Sequence, residues 1–261
     1  MIRFLFLLFF CGYALAKPAA PLPQTILVYN ETTNKTVIET NPYQIRPIAS
    51  ITKLMTAIVS IDYDTDLSRP LKLAGKVGGI LPRGTWTRSE IFHAMLIRSD
   101  NDAAETLAAD YPGGRPAFIK AMNKKAHELK MPWARFDDPS GLISSNVTTA
   151  EGVKILLQAS SMYPLIREIS VKKQALFDQR FKKKIRKIVL PNTNSPMLLE
   201  FDSIVITKTG LTNLAGWCLG LVVEKNQQRY IVVILGARNK LERLKIAKEI
   251  MYNHISDNDL K

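Results

Sequence analysis

The chain is poor in cysteine and histidine, and each scarcity excludes a chemistry. There are two cysteines in 261 residues. Cys11 lies in an N-terminal apolar segment, so only Cys218 remains beyond it and no internal disulfide can form there. Cys218 sits among Trp217, Leu219 and Leu221 and reads as a buried structural cysteine. The three histidines, His93, His127 and His254, lack an H-E-x-x-H or similar spacing, so a zinc peptidase is excluded and no metal is expected. Acidic residues are also outnumbered. Asp and Glu total 23 against 36 Lys and Arg, a formal net charge of +13. A surface of that sign associates with polyanions, here an anionic wall or membrane surface. The charge peaks over 172–187, a stretch that reads as a solvated basic face. No motif has the spacing or aromatic interleaving of a nucleic-acid binder, so no nucleic acid is expected as partner.

Long apolar runs are lacking too, with one exception. Residues 4–10 are unbroken apolar, preceded by Arg3 and followed by an A-x-A site at Ala14 and Ala16. This reads as a signal peptide over 1–16, which would export the chain to the periplasm or cell-wall space. Residues 17–261 then form a single catalytic domain. With 46% apolar and 23% charged residues, the chain has a globular composition.

Hydrophobic period changes along the chain. Segments 26–29 and 36–39 alternate around a polar stretch and predict a β-hairpin. Ile51, Leu54, Met55, Ile58 and Val59 recur at helical spacing and predict a helix over 50–62. The stretch 63–165 reads as a mostly helical lobe, with a capping box at Thr87 and Glu90 opening one helix. Segments 203–208, 216–224 and 229–236 read as strands, and 240–254 as a last amphipathic helix. The expected class is α+β: an antiparallel sheet from both chain ends, flanked by helices, with a helical lobe inserted.

Three short motifs occur in order: Ser50-x-x-Lys53, Ser99-Asp-Asn101 and Lys208-Thr-Gly210. Each has chance matches; Ser170-x-x-Lys173 repeats the first and Ser256-Asp-Asn258 the second. Context separates them. Ser50 opens an apolar-striped helix, whereas Ser170 leads into a charge run. Ser99 joins two helices, whereas Ser256 lies in a polar tail. A serine hydroxyl needs a base to become nucleophilic. Residues i and i+3 share a helix face, so Lys53 can meet Ser50. Lys53 serves as base only when neutral, and burial together with the like charge of Lys208 would lower its pKa. Ser99 can relay a proton to a leaving amine, and the Asn101 amide can bond Lys53 and a substrate carbonyl; alternatively these residues merely cap a helix. Lys208 and Thr209 can meet a carboxylate, and Gly210 lets substrate backbone lie close.

This order of motifs is the signature of penicillin-recognising serine enzymes. The chain resembles the low-molecular-mass penicillin-binding proteins, the D-alanyl-D-alanine peptidases, and within them the endopeptidase type. RPIASITKLMTA (46–57), YPGGRPAFIKAMNKKA (111–126), DPSGLISSNVTTA (138–150) and TKTGLTNLAGWCL (207–219) carry the likeness. The resemblance implies a β-lactamase/transpeptidase-like fold, acylation of Ser50, and no cofactor. It implies an oxyanion hole from the backbone N–H groups of Ser50 and Leu211. Peptidoglycan peptides become the expected substrates and β-lactam antibiotics covalent inhibitors. Leu211 replaces the aromatic residue or histidine often found after K-T-G. Arg243 matches an arginine that some relatives aim at a substrate carboxylate; a solvated helical arginine is the alternative. Carboxypeptidase relatives carry a second, β-rich domain, and the chain ends soon after its last helix, which favours the endopeptidase type.

Three other functions compete. Carboxypeptidase activity uses the same machinery and differs only in what the cleft admits. A serine β-lactamase needs an additional carboxylate base; Asp137 and Asp138 fall in the right stretch, but the E-x-x-x-N loop is missing. A non-catalytic wall-binding module has no need of the full Ser-Lys-Ser-Asn-Lys set.

Overall fold

Apolar alternation at the two chain ends brings them into one sheet. Thr25–Asn30 (β1) and Lys35–Thr40 (β2) form the first hairpin. In the computed structural model, residues 24–73, 77–181 and 184–255 are described. After a short strand Arg46–Pro47 (β3) comes a 3-10 turn Ala49–Ile51, then helix Thr52–Tyr63 (α1). Strands Pro70–Lys72 (β4) and Thr85–Thr87 (β5) pair ahead of helices Arg88–Ile97 (α2), Asn101–Ala109 (α3) and Gly114–Glu128 (α4). Strand Val147–Thr148 (β6) pairs with β3 and precedes helices Ala150–Ser161 (α5) and Pro164–Ser170 (α6). A hairpin of Gln174–Phe181 (β7) and Lys184–Pro191 (β8) and a short helix Ser195–Glu200 (α7) follow. Ile204–Thr212 (β9), Gly216–Lys225 (β10), Gln228–Ala237 (β11) and helix Lys240–Ile250 (α8) come last.

The main sheet has the order β2-β1-β11-β10-β9, antiparallel throughout. It is the α+β arrangement expected from the sequence, with both chain ends in one sheet. Strand alternation gives the sheet two apolar faces. Leu27, Cys218, Val222, Ile231 and Val233 point into the larger core with α1, α2, α3 and α5. Val28, Leu219, Leu221, Val232 and Ile234 point the other way, against α7 and α8. The strand β9 is left as an edge, and the helical lobe stands beside it.

Local chemistry sets the element ends that matter. Thr87 and Glu90 form the expected capping box at the start of α2, and Thr149 caps α5. Three details differ from the sequence reading. Ser50 lies in the 3-10 turn, two residues before the α-helix begins. β9 runs through Lys208, Thr209 and Gly210 to Thr212, so K-T-G is inside a strand, not at its end. The basic stretch is a β-hairpin whose inner face, Ala175, Phe177, Ile188 and Leu190, is buried on the helical lobe. The N-terminal apolar run, its A-x-A site and Ser256-Asp-Asn258 lie outside the described residues.

Candidate active site

The turn that carries Ser50 begins with a strained residue. Ala49 has φ +46°, in the left-handed region that L-residues with a Cβ seldom adopt. The turn runs straight into α1, so Lys53, three residues on in the first turn of that helix, lies on the same face as Ser50. Lys53 Nζ lies 2.8 Å from Ser50 Oγ, 2.8 Å from Asn101 Oδ1 and 2.6 Å from the Ser140 carbonyl oxygen. The Lys53 side chain is fully buried. Burial pulls its pKa down to about 7, against the opposing pull of Asp138, Asp100 and Glu105.

Ser99 and Asn101 reach this centre because Asp100 takes over the capping work between α2 and α3. Ser99 has φ +64° and turns the chain sharply. One Asp100 carboxylate oxygen accepts from Ala103 N at 2.8 Å, capping α3. The other accepts from Ile80 N and Leu81 N, at 2.5 and 2.8 Å. The cap reading and the site reading of Ser99-Asp-Asn101 therefore divide between residues: Asp100 caps, while its neighbours face Lys53 and Lys208.

Lys208 is buried in β9 and donates to Ser99 Oγ at 2.9 Å. Its pKa is held well below that of a free lysine, chiefly by burial and then by the charges of Lys53 and Arg243. Thr209 Oγ1 bonds Thr193 Oγ1 at 2.7 Å. Gly210 is pressed against the turn that carries Ser50. A Cβ there would lie 3.0 Å from the Ile48 carbonyl oxygen and 3.1 Å from Ser50 N.

These residues line a cleft of about 330 Å³ between β9 and the helical lobe. Ser50, Ser99, Asn101, Thr209, Gly210, Leu211 and Arg243 all border it. Arg243 is 4% exposed, so the alternative of a solvated helical arginine does not hold. Its guanidinium lies over the Trp217 ring, 5.5 Å from the centroid, and burial lowers its pKa to about 10.

Several neighbours had no role in the sequence reading. Arg98, Leu142, Thr193 and Trp217 share the cleft wall. Ser140 supplies a backbone carbonyl, which no residue-type pattern signals. Its loop is held by Asp138, whose carboxylate accepts from Ser140 N, Ser140 Oγ, Gly141 N and Ile143 N. Asp137 bonds Ser145 and Arg135. Both carboxylates are thus committed to the loop. Cys218 is buried, with its pKa raised to about 11 by desolvation. His93 packs edge-on to Phe177, away from Ser50's partners, and burial lowers its pKa.

Comparison with known proteins places the chain in a family. A family profile described as D-alanyl-D-alanine carboxypeptidase, peptidase S11, matches residues 16–239. A D-alanyl-D-alanine endopeptidase of Escherichia coli (strain K12) is 36% identical over 222 residues, 82% of this chain and 71% of that one. A D-alanyl-D-alanine endopeptidase of Pseudomonas aeruginosa is 37% identical over 237 residues, 86% of this chain and 76% of that one. Among solved structures, penicillin-binding protein D2 from Listeria monocytogenes in its cefotaxime-bound form superposes with a TM-score of 0.77. It is 29% identical and covers 87% of this chain and 95% of its own. The Streptomyces K15 DD-transpeptidase, at 23% identity, shares the fold with a TM-score of 0.79, covering 87% of this chain and 94% of its own. The chain belongs to the D-alanyl-D-alanine carboxypeptidase family, peptidase S11, and is a serine DD-peptidase.

Proposed function

We propose that the protein is an exported DD-endopeptidase that hydrolyses D-alanyl crosslinks of peptidoglycan through an acyl-enzyme on Ser50. The observation that carries this reading is the buried Lys53 nitrogen, 2.8 Å from both Ser50 Oγ and Asn101 Oδ1, with a pKa near 7. Neutral Lys53 takes the Ser50 proton as Oγ attacks the D-alanyl carbonyl carbon. The backbone N–H groups of Ser50 and Leu211 hold the oxyanion. Ser99 passes its proton to the leaving nitrogen as the C–N bond breaks, and Lys208, which donates to its Oγ, replaces that proton. Water then attacks the Ser50 ester, giving the free D-alanine carboxylate and restoring the serine. Thr209, Gly210 and Arg243 with Lys208 receive the substrate's carboxylate and backbone.

The endopeptidase preference draws support from the two relatives at 36% and 37% identity, both named D-alanyl-D-alanine endopeptidases. β-Lactam acylation of Ser50 draws support from the D2 relative, solved with cefotaxime and with ampicillin bound. Export to the periplasm or wall space rests on the apolar run and A-x-A site. Association with an anionic wall or membrane surface rests on the net charge of +13. Digestion of purified peptidoglycan followed by muropeptide separation tests the activity. Loss of crosslinked dimers, absent with Ser50→Ala, is the expected result. Loss of terminal D-alanine from pentapeptides with dimers intact would make the enzyme a carboxypeptidase instead.

A further inference from the structure

Three cations, Arg98, Lys240 and Arg243, line the cleft. Arg98, at the C-cap of α2, lines the cleft on one side. Its position relative to the carboxylate end is fixed by two bonds. Thr193 N donates to the Ile97 carbonyl at 3.0 Å, and Thr209 Oγ1 donates to Thr193 Oγ1 at 2.7 Å. Lys240 lines the same cleft from the first turn of α8, three residues before Arg243 and hence on the same helix face. Arg243 itself is buried with its Nε unpartnered. Among the described residues no Asp or Glu borders this cleft, and none forms an ion pair with Arg98, Lys240 or Arg243.

Lys240 is the informative member. A cation in the first turn of a helix meets the positive end of the helix dipole and is locally unfavourable. Residues that break a local rule without a compensating contact point to function. Arg98 at a helix C-terminus is locally favourable, so its capping role alone explains it. Its place with Lys240 in the lining of one cleft is what requires a further reading.

We propose that Arg98 and Lys240 form an outer subsite that reads a second carboxylate on the leaving amine half of the substrate. This rests on the DD-peptidase reading above and names the substrate class within it. A terminal D-alanine leaves with one carboxylate, which Lys208, Thr209 and Arg243 already meet. In a crosslink the leaving amine belongs to a second peptide stem, which carries further carboxylates beyond the scissile bond. Two cations flanking the first carboxylate site favour such a stem over a single residue, so charge beyond the scissile bond selects crosslinks over free ends.

The test uses wild type, Arg98→Gln, Lys240→Gln and the double variant of the full chain. Two rates are measured for each: kcat/KM on a crosslinked muropeptide dimer, and the acylation rate by benzylpenicillin, which carries one carboxylate. The ratio of dimer cleavage to acylation falls about ten-fold in the double variant, the effect of losing charge-assisted bonds, and the change lies in KM. A dimer with its distal carboxylates amidated is cleaved about ten-fold less well by wild type, and no worse by the double variant than the unmodified dimer. A ratio that stays at the wild-type value, or an amidation penalty that persists in the double variant, overturns the proposal. Absence of any penicilloyl adduct in wild type defeats the underlying Ser50 reading instead, so the two failures are distinct.

Discussion

Lys53 Nζ approaches Ser50 Oγ at 2.8 Å while its two other partners, the Asn101 amide oxygen and the Ser140 carbonyl, are acceptors only. An ammonium satisfies all three with its three protons. When one proton leaves, the two remaining N–H bonds stay on Asn101 and Ser140. The lone pair is then left facing the Ser50 hydroxyl, the one partner that can reverse its bond. The arrangement selects the nucleophile-activating state without moving a side chain.

That state must appear as Lys53 loses its proton, at a pKa of about 7. Acylation by benzylpenicillin is expected to rise across that pH with a single titration. Lys53→Met is expected to lower it by about a hundred- to ten-thousand-fold, the range for loss of a general base. Stopped-flow acylation from pH 5 to 9 measures both, and a flat wild-type profile would rule out a titrating Lys53. Stability carries the same signature. Between about 7 and 10.5 the unfolded chain still holds the proton that folded Lys53 has lost, so this group's contribution to stability rises with pH across that window.

Gly210 holds the strand against the nucleophile's turn. In Gly210→Ala the new methyl would press on the Ile48 carbonyl and on Ser50 N at 3.0–3.1 Å. Overpacking of this kind costs about 1–3 kcal/mol. We expect a folded protein with a modestly lower Tm and acylation reduced about ten-fold, since Ser50 N is the proposed oxyanion donor. Unchanged acylation alongside a lowered Tm would show that the turn yields without disturbing Ser50.

Beyond the cleft, the helical lobe depends on a buried ion cluster. Arg88 is wholly buried and bonds Asp110 at 2.7 Å and the Ser60 carbonyl at 2.5 Å. Arg69 meets the same Asp110 at 2.5 Å and is partly exposed. Asp110→Ala leaves buried Arg88 with only the more distant Asp64, 4.0 Å from its Nε, and the loss of its close carboxylate costs about 3–5 kcal/mol. Arg88→Met leaves Asp110 paired with Arg69 and is expected to cost less. Urea unfolding of the two variants decides the order.

Ser170 provides a control drawn from the sequence itself. It matches the first motif, yet it ends α6, is buried, and its hydroxyl has no hydrogen-bond partner. Ser170→Ala is expected to leave acylation unchanged and to alter stability by no more than about 1 kcal/mol. Loss of acylation there would undermine the assignment of Ser50.

Much of this arrangement was legible in residue order. Strand alternation at both ends gave the sheet, and Thr87 with Glu90 marked the start of α2. The basic stretch hid the β7–β8 hairpin because its buried positions, Ala175, Phe177, Ile188 and Leu190, are separated by lysines, arginines and exposed apolar residues such as Leu176 and Val189. The eye follows charge there, while the chain follows period two. At the site, side chains with distinctive chemistry were readable. The Ser140 carbonyl was not, because backbone acceptors carry no residue signature. Nor was the Arg243–Trp217 stack, which joins β10 to α8 by tertiary packing alone.

The account stands most directly on which atom becomes acylated. Incubation with benzylpenicillin, digestion and mass mapping should place a single penicilloyl group on Ser50, with none on Ser50→Ala and greatly slowed formation in Lys53→Met. No adduct on the wild type, or an adduct on another serine such as Ser99 or Ser170, would contradict it.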